Sequence, residues 1–215
     1  MPDRELPWPK PGTKAFAPPP DGERKFVFLD WPPRDLGPGY YATAYKIGAD
    51  AVVAAAERDS GHPDMYFYTA GFLYRHFIEL SLKECILIGS ELHDNERKAA
   101  HGHDLDKLWR LVRQYLEKTW PDAPTEDCDA AGQIIMEFDQ VDPTNEEFRY
   151  PVTNRGSKSL EKAPRRLDLG NLKARMEELD SYFTGAIDGM AHQLDYRRDY
   201  EAEMRAQMPR GDEGH

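Results

Sequence analysis

Four ionisable residues stand inside the most apolar stretch of the chain. Residues 74–86 read YRHFIELSLKECI, with Arg75, His76, Glu79 and Lys83 set among Phe77, Ile78, Leu80, Leu82 and Ile86. On a helix, positions three, four and seven apart share a face, so His76, Glu79 and Lys83 align and Arg75 lies one turn from Glu79. A lone charge is too costly to bury, so these groups must pair with one another or across the fold. One arrangement is a closed internal network, with Glu79 bridging Arg75 and Lys83 and His76 bonded to a carbonyl. The other is the wall of a polar cleft open to ligand, where imidazole moves protons and guanidinium holds phosphate.

Two further segments carry residues suited to such a cleft. In HGHDLDKLW, residues 101–109, Gly102 and Asp104 mark a helix start and place His103 beside the turn. In DPTNEEFRYPVTNRG, residues 142–156, Arg149 and Tyr150 come directly before Pro151, which disfavours helix and extends the backbone. A polar, irregular segment of this length in a compact bundle is uncommon and is often functional. Between residues 149 and 166, Arg149, Arg155, Lys158, Lys162, Arg165 and Arg166 face only Glu161, in a chain whose net charge is -11. That contrast points to phosphate; a solvated loop balancing acidic helices is the plain alternative. The candidate site is therefore His76 and His103 for proton transfer and Arg149 for phosphate. Arg75, Glu79, Lys83, Asp104, Tyr150 and Arg155 join it as ligand contacts.

The elements that must hold these residues are helical. Periodicity predicts helices over about 40–58, 64–90, 104–119 and 125–141, and a long one from about 168. The first shows Tyr41, Tyr45, Gly48, Val52 and Ala55 on one face; the second is apolar almost all round and so central. Asp104 is the expected N-cap of the third, whose stripe is Leu105, Leu108, Trp109, Val112 and Leu116. Ile134, Ile135, Phe138 and Val141 mark the fourth, and Leu172, Met176, Leu179, Phe183, Ile187, Met190 and Leu194 the last. These amphipathic segments predict an all-α, up-and-down bundle of about five helices over 39–195, continued by a polar helical extension and tail over 196–215. Residues 1–38 hold ten of the 17 prolines and predict an extended arm, partly disordered, in which Lys25 to Trp31 has strand-like composition.

Composition excludes several classes. With 28 basic and 39 acidic residues the chain is not a general nucleic-acid coat, though a local basic site is compatible with it. No apolar run is long enough to span a membrane, the N-terminus lacks a secretory pattern, and two cysteines make no disulfide framework. A cytoplasmic protein is expected. Cys85 lies in an apolar helix and Cys128 among Glu126, Asp127 and Asp129, so neither reads as a nucleophile. His93, Asp94, His101, His103 and Asp104 crowd one region, but their spacing matches no standard metal motif, and neither metal nor cofactor is expected.

Taken in order, YRHFIELSLKECI, HGHDLDKLW and FRYP (148–151) resemble the HEPN superfamily of helical nucleotide- and RNA-associated proteins, over about residues 40–195. The resemblance implies a helical bundle that dimerises. It implies either a metal-independent endoribonuclease of a defence or toxin–antitoxin type system, or a non-catalytic partner of other proteins. In catalytic members an Arg, followed after four to six residues by a His near the start of a late helix, does the chemistry. Here no His follows Arg149, and the similarly spaced Arg97 and His103 fall before the third helix. The expected partners are thus RNA or nucleotide, a protein such as an antitoxin, and a second copy. The alternative is an interaction module whose polar network is structural.

Overall fold

Proline opens the first two helices of the structure, a computed structural model that describes residues 8–17, 27, 37–59 and 61–207. Pro38 starts α1 (Pro38–Arg58) and Pro63 starts α2 (Pro63–Asp94), each where its missing N–H costs no helical bond. Between them Asp59 organises the turn: its carboxylate accepts from the Gly61 amide at 2.8 Å and the Tyr66 hydroxyl at 2.9 Å. α3 (Leu105–Thr119), α4 (Glu126–Val141) and α5 (Leu169–Gln207) complete an all-α bundle of five helices. Among the described residues there is no strand, only a bridge between Val152 and Lys158. No described helix is long and apolar enough to cross a membrane.

The chain divides into two units, Met1–Leu36 and Gly37–His215. In the first, the described residues 8–17 contain a turn in which the Thr13 amide donates to the Lys10 carbonyl at 3.1 Å, and the Trp8 and Phe16 rings are exposed. The strand-like run 25–31 lies outside the described residues except for Val27.

In the second unit α2 is central and packs against α1, α3 and α5. Tyr74, Phe77, Ile78, Leu82, Cys85 and Ile86 are buried there, as an all-round apolar helix requires. The predicted stripe of α3 is buried throughout. α1 corrects its prediction by one residue. The buried face is Ala42, Lys46, Ala49, Val53 and Ala56, while Tyr41 is exposed and Tyr45 and Val52 flank the core. Small alanines let α1 approach α2 closely, and the larger side chains are displaced to the flanks. Lys46 can be buried because it pairs with Asp50 at 2.9 Å, Glu177 at 3.3 Å and Asp180 at 3.7 Å.

α5 continues without a break beyond Leu194. On this stretch Arg197 donates through Nη1 to the Leu92 carbonyl and through Nη2 to the Glu91 carbonyl at 3.0 Å, occupying acceptors in the last turn of α2. Tyr196, Tyr200 and Met204 on the same stretch are exposed.

Asp104 caps α3, accepting from the Lys107 amide at 2.9 Å. Asp104→Ala leaves that amide open and is expected to lower stability by ~1 kcal/mol in urea unfolding. An unchanged midpoint would show that the cap contributes nothing.

Candidate functional site

The polar residues of α2 converge on one guanidinium. Arg75 has no exposed surface, and each of its nitrogens has a partner. Nε donates to the Asp142 carbonyl at 2.9 Å and lies 3.4 Å from the Asp142 carboxylate. Nη2 donates to the His103 carbonyl at 2.7 Å, and Nη1 to Glu79 Oε2 at 3.2 Å. Arg75 therefore ties both loop segments to the central helix. Glu79, also buried, uses its other oxygen: Oε1 lies 2.8 Å from Lys83 Nζ and 2.8 Å from His103 Nδ1. Burial alone would raise the Glu79 pKa, but the hydrogen bonds from Lys83 and His103 outweigh it and hold the carboxyl below its ordinary value.

His103 is the accessible end of this network. Its side chain keeps 60% of its exposure although Nδ1 is anchored, and Nε2 has no partner among the described residues. The left-handed Gly102 (φ 86°) turns the chain just before it, and the Asp104 cap holds it from the other side. A buried carboxylate orienting an exposed imidazole is the arrangement of a general acid–base pair.

His76 sits one turn before Glu79 with its ring edge-on to Tyr45 (centroids 4.3 Å apart) and stacked on Phe72 (5.9 Å). Its Nδ1 is buried without a partner, so the expected bond to a carbonyl is not made by that nitrogen. Burial pushes the ring's pKa below its ordinary 6.5.

FRYP reaches the same helix through Phe148. That ring fills the space beside Gly71, where a Cβ would come within 2.3 Å of it, and meets Phe67 edge-on at 5.7 Å. The close approach seats Arg149 over Phe72 (5.9 Å) and Tyr150 (5.2 Å), on the ring that stacks against His76. Arg149 also donates through Nε to the Asn145 carbonyl at 2.7 Å. His76 and Arg149 thus share Phe72 as a neighbour, whereas no hydrogen bond or ion pair among the described residues joins either of them to His103. Arg155 is exposed on a turn, with no hydrogen bond or ion pair to the other candidates. The same is true of Lys158, Lys162, Arg165 and Arg166, which form an exposed basic run. His93 is elsewhere, bonded to Thr119 at 2.8 Å, and no described group of three His, Cys, Asp or Glu side chains is placed to hold a metal.

Sequence reading did not single out Asp142, Phe72, Tyr45 or Phe148 as part of this site. Asp142 is wholly buried, and its Oδ1 accepts from the Glu146 amide at 2.8 Å and the Glu147 amide at 3.1 Å. The Asp142-Pro143 pair at the end of α4 is the signal that would have marked this turn.

Fold and network together define a five-helix α bundle with a buried arginine hub and one carboxylate-held, exposed histidine. Comparison with protein-family models, curated proteins and solved structures returns no match.

Arg75→Met strands Glu79 Oε2, the Asp142 carboxylate oxygen Oδ2 and two carbonyls and is expected to cost about 3–5 kcal/mol in denaturant unfolding. Arg75→Lys is expected to recover little, because an ammonium on one flexible stem does not reproduce the planar fork that reaches all three partners. A wild-type midpoint for either variant contradicts the hub.

Acid is expected to loosen the fold in two stages. The fold favours neutral His76, so that stabilisation is complete above pH 6.5 and is lost as pH falls from there through the folded-state pKa. The lowered Glu79 contributes stability that is present above its ordinary 4.5 and lost as pH falls through its folded pKa. Melting temperature against pH should therefore decline below 6.5, and His76→Phe should remove the upper stage. A profile that the substitution leaves unchanged would contradict this assignment.

Proposed function

We propose that the protein binds RNA or a nucleotide through His103 and Lys83, with the exposed basic residues from Arg149 to Arg166 as further phosphate contacts, and that His103 acts in metal-independent proton transfer. The observation that carries this reading is the exposed His103 ring held 2.8 Å from buried Glu79. Against RNA, Nε2 would take the proton of a ribose 2′-hydroxyl as the 2′-oxygen bonds to phosphorus and the 5′-oxygen leaves, giving a cyclic phosphate and a new 5′-hydroxyl once the leaving oxygen is protonated from solvent. Glu79 orients the ring and offsets the charge it acquires. His76, kept neutral by burial, is a second proton-transfer group, on the helix that carries Glu79, and Arg149 retains Nη1 for a phosphate oxygen.

The exposed basic residues on an acidic chain and the five-helix bundle support the same reading. So does the resemblance of the three segments to the HEPN superfamily, with a cytoplasmic defence or toxin–antitoxin role and a dimer as its wider setting. A second reading, a non-catalytic interaction module, is favoured by the complete internal pairing of Arg75 and Glu79 and by the exposed Tyr196, Tyr200 and Met204 on α5.

The test is cleavage of mixed cellular RNA by purified protein in EDTA, beside His103→Ala and Arg149→Ala variants of unchanged melting temperature. Cleavage is expected to fall by about 100-fold or more in His103→Ala. Salt-dependent RNA binding without cleavage would leave a binding protein, and neither cleavage nor binding would leave the interaction module.

A further inference from the structure

On the side of α5 that faces the α3–α4 turn lies a cavity of about 420 Å³ that shares no residue with the Arg75 network. Leu116, Trp120, Pro124, Tyr182, Gly185 and Ala186 form its walls, and Cys128 lines it as well. A second pocket of about 410 Å³ lies between α4 and α5; it shares Asp127, Ser181 and Tyr182 with the first and has Ile134 and Leu179 on its walls. Each chamber is within the size range of small-molecule sites, which are mostly apolar with a few placed polar groups.

Gly185 is an exposed residue at the edge of this pocket: a Cβ there would meet nothing within 4 Å, whereas Gly189, one turn on, is covered by Trp120.

The rim selects a charge. Arg113 is its basic group, and Glu117 at 2.9 Å and Asp129 at 2.7 Å already engage it. Glu178, on the second chamber, pairs with Arg175 at 2.7 Å. Asp127 borders both chambers and has no hydrogen bond or ion pair among the described residues. The first turn of α4 carries Glu126, Asp127 and Asp129, more negative charge than the roughly +0.5 of a helix N-terminus offsets. An exposed, unpaired carboxylate on the rim of a pocket that also presents two electron-rich rings, Trp120 and Tyr182, suits a cation with an apolar body.

We propose that this cavity is a binding site for a small organic ammonium, its aromatic or aliphatic body against Trp120 and Tyr182 and its charge at Asp127. The probe is phenethylammonium, compared with phenylacetate and 2-phenylethanol, which share its ring and differ in charge. Binding is read by tryptophan fluorescence and by protection of Cys128 from a thiol reagent; Cys85 is fully buried and serves as the silent control. Phenethylammonium is expected to saturate both signals and to bind more than about tenfold tighter than phenylacetate. Gly185→Met, which fills the cavity, should abolish saturation without lowering the melting temperature, and Asp127→Asn should erase the preference for the ammonium. The proposal is overturned if no saturation is seen, if the anion binds as well as the cation, or if binding survives Gly185→Met. Should Gly185→Met not fold, protection of Cys128 in the wild type decides: an unprotected thiol overturns the proposal.

Discussion

A fully buried guanidinium is the constraint on which the rest of this structure depends. A guanidinium carries five N–H donors and no acceptor, so each donor removed from water must find an acceptor inside the protein. It finds one carboxylate on its own helix and two backbone carbonyls from segments 28 and 67 residues further along the chain. Those carbonyls belong to His103 and Asp142, the residues at which the two irregular stretches meet the helical bundle. Both loop segments are thereby held at fixed points on the central helix.

This explains how an exposed imidazole can be both accessible and well placed. His103 is gripped through its own carbonyl by Arg75 and through Nδ1 by Glu79, and Arg75 and Glu79 are bonded to each other. Two contacts on one residue leave the ring little freedom except at the edge that faces water. Precise placement of this kind comes from supporting groups that never touch a ligand. Arg75 and Glu79 are both inaccessible, and both hold the position of His103.

The sequence showed some of this and concealed the rest, for identifiable reasons. Spacing alone aligned His76, Glu79 and Lys83 and set Arg75 one turn from Glu79, because a helix imposes its own neighbours, and Asp104 was readable as a cap. The partners of Arg75 across the fold were not readable, since a backbone carbonyl carries no residue identity. The face of α1 was misjudged by one position: Tyr41 and Tyr45 draw attention by size, yet Ala42 and Ala49 pack where two helices come closest. The seat of FRYP depends on Gly71 leaving room for Phe148, a pairing of residues far apart in the chain that local pattern does not encode. The wide cavity beside Gly185 was equally invisible, because a void is what the surrounding side chains fail to fill.

The Arg197 contact redraws the limit of the bundle. By core burial the domain ends near Leu194, and the residues past it have the composition of a dispensable tail. Yet the carbonyls that close α2 are satisfied by a side chain three residues beyond that point. The outer stretch of α5 is thus the lid on the far end of the helix that carries Arg75, and a boundary drawn at the last apolar residue would cut the unit before its longest element is finished.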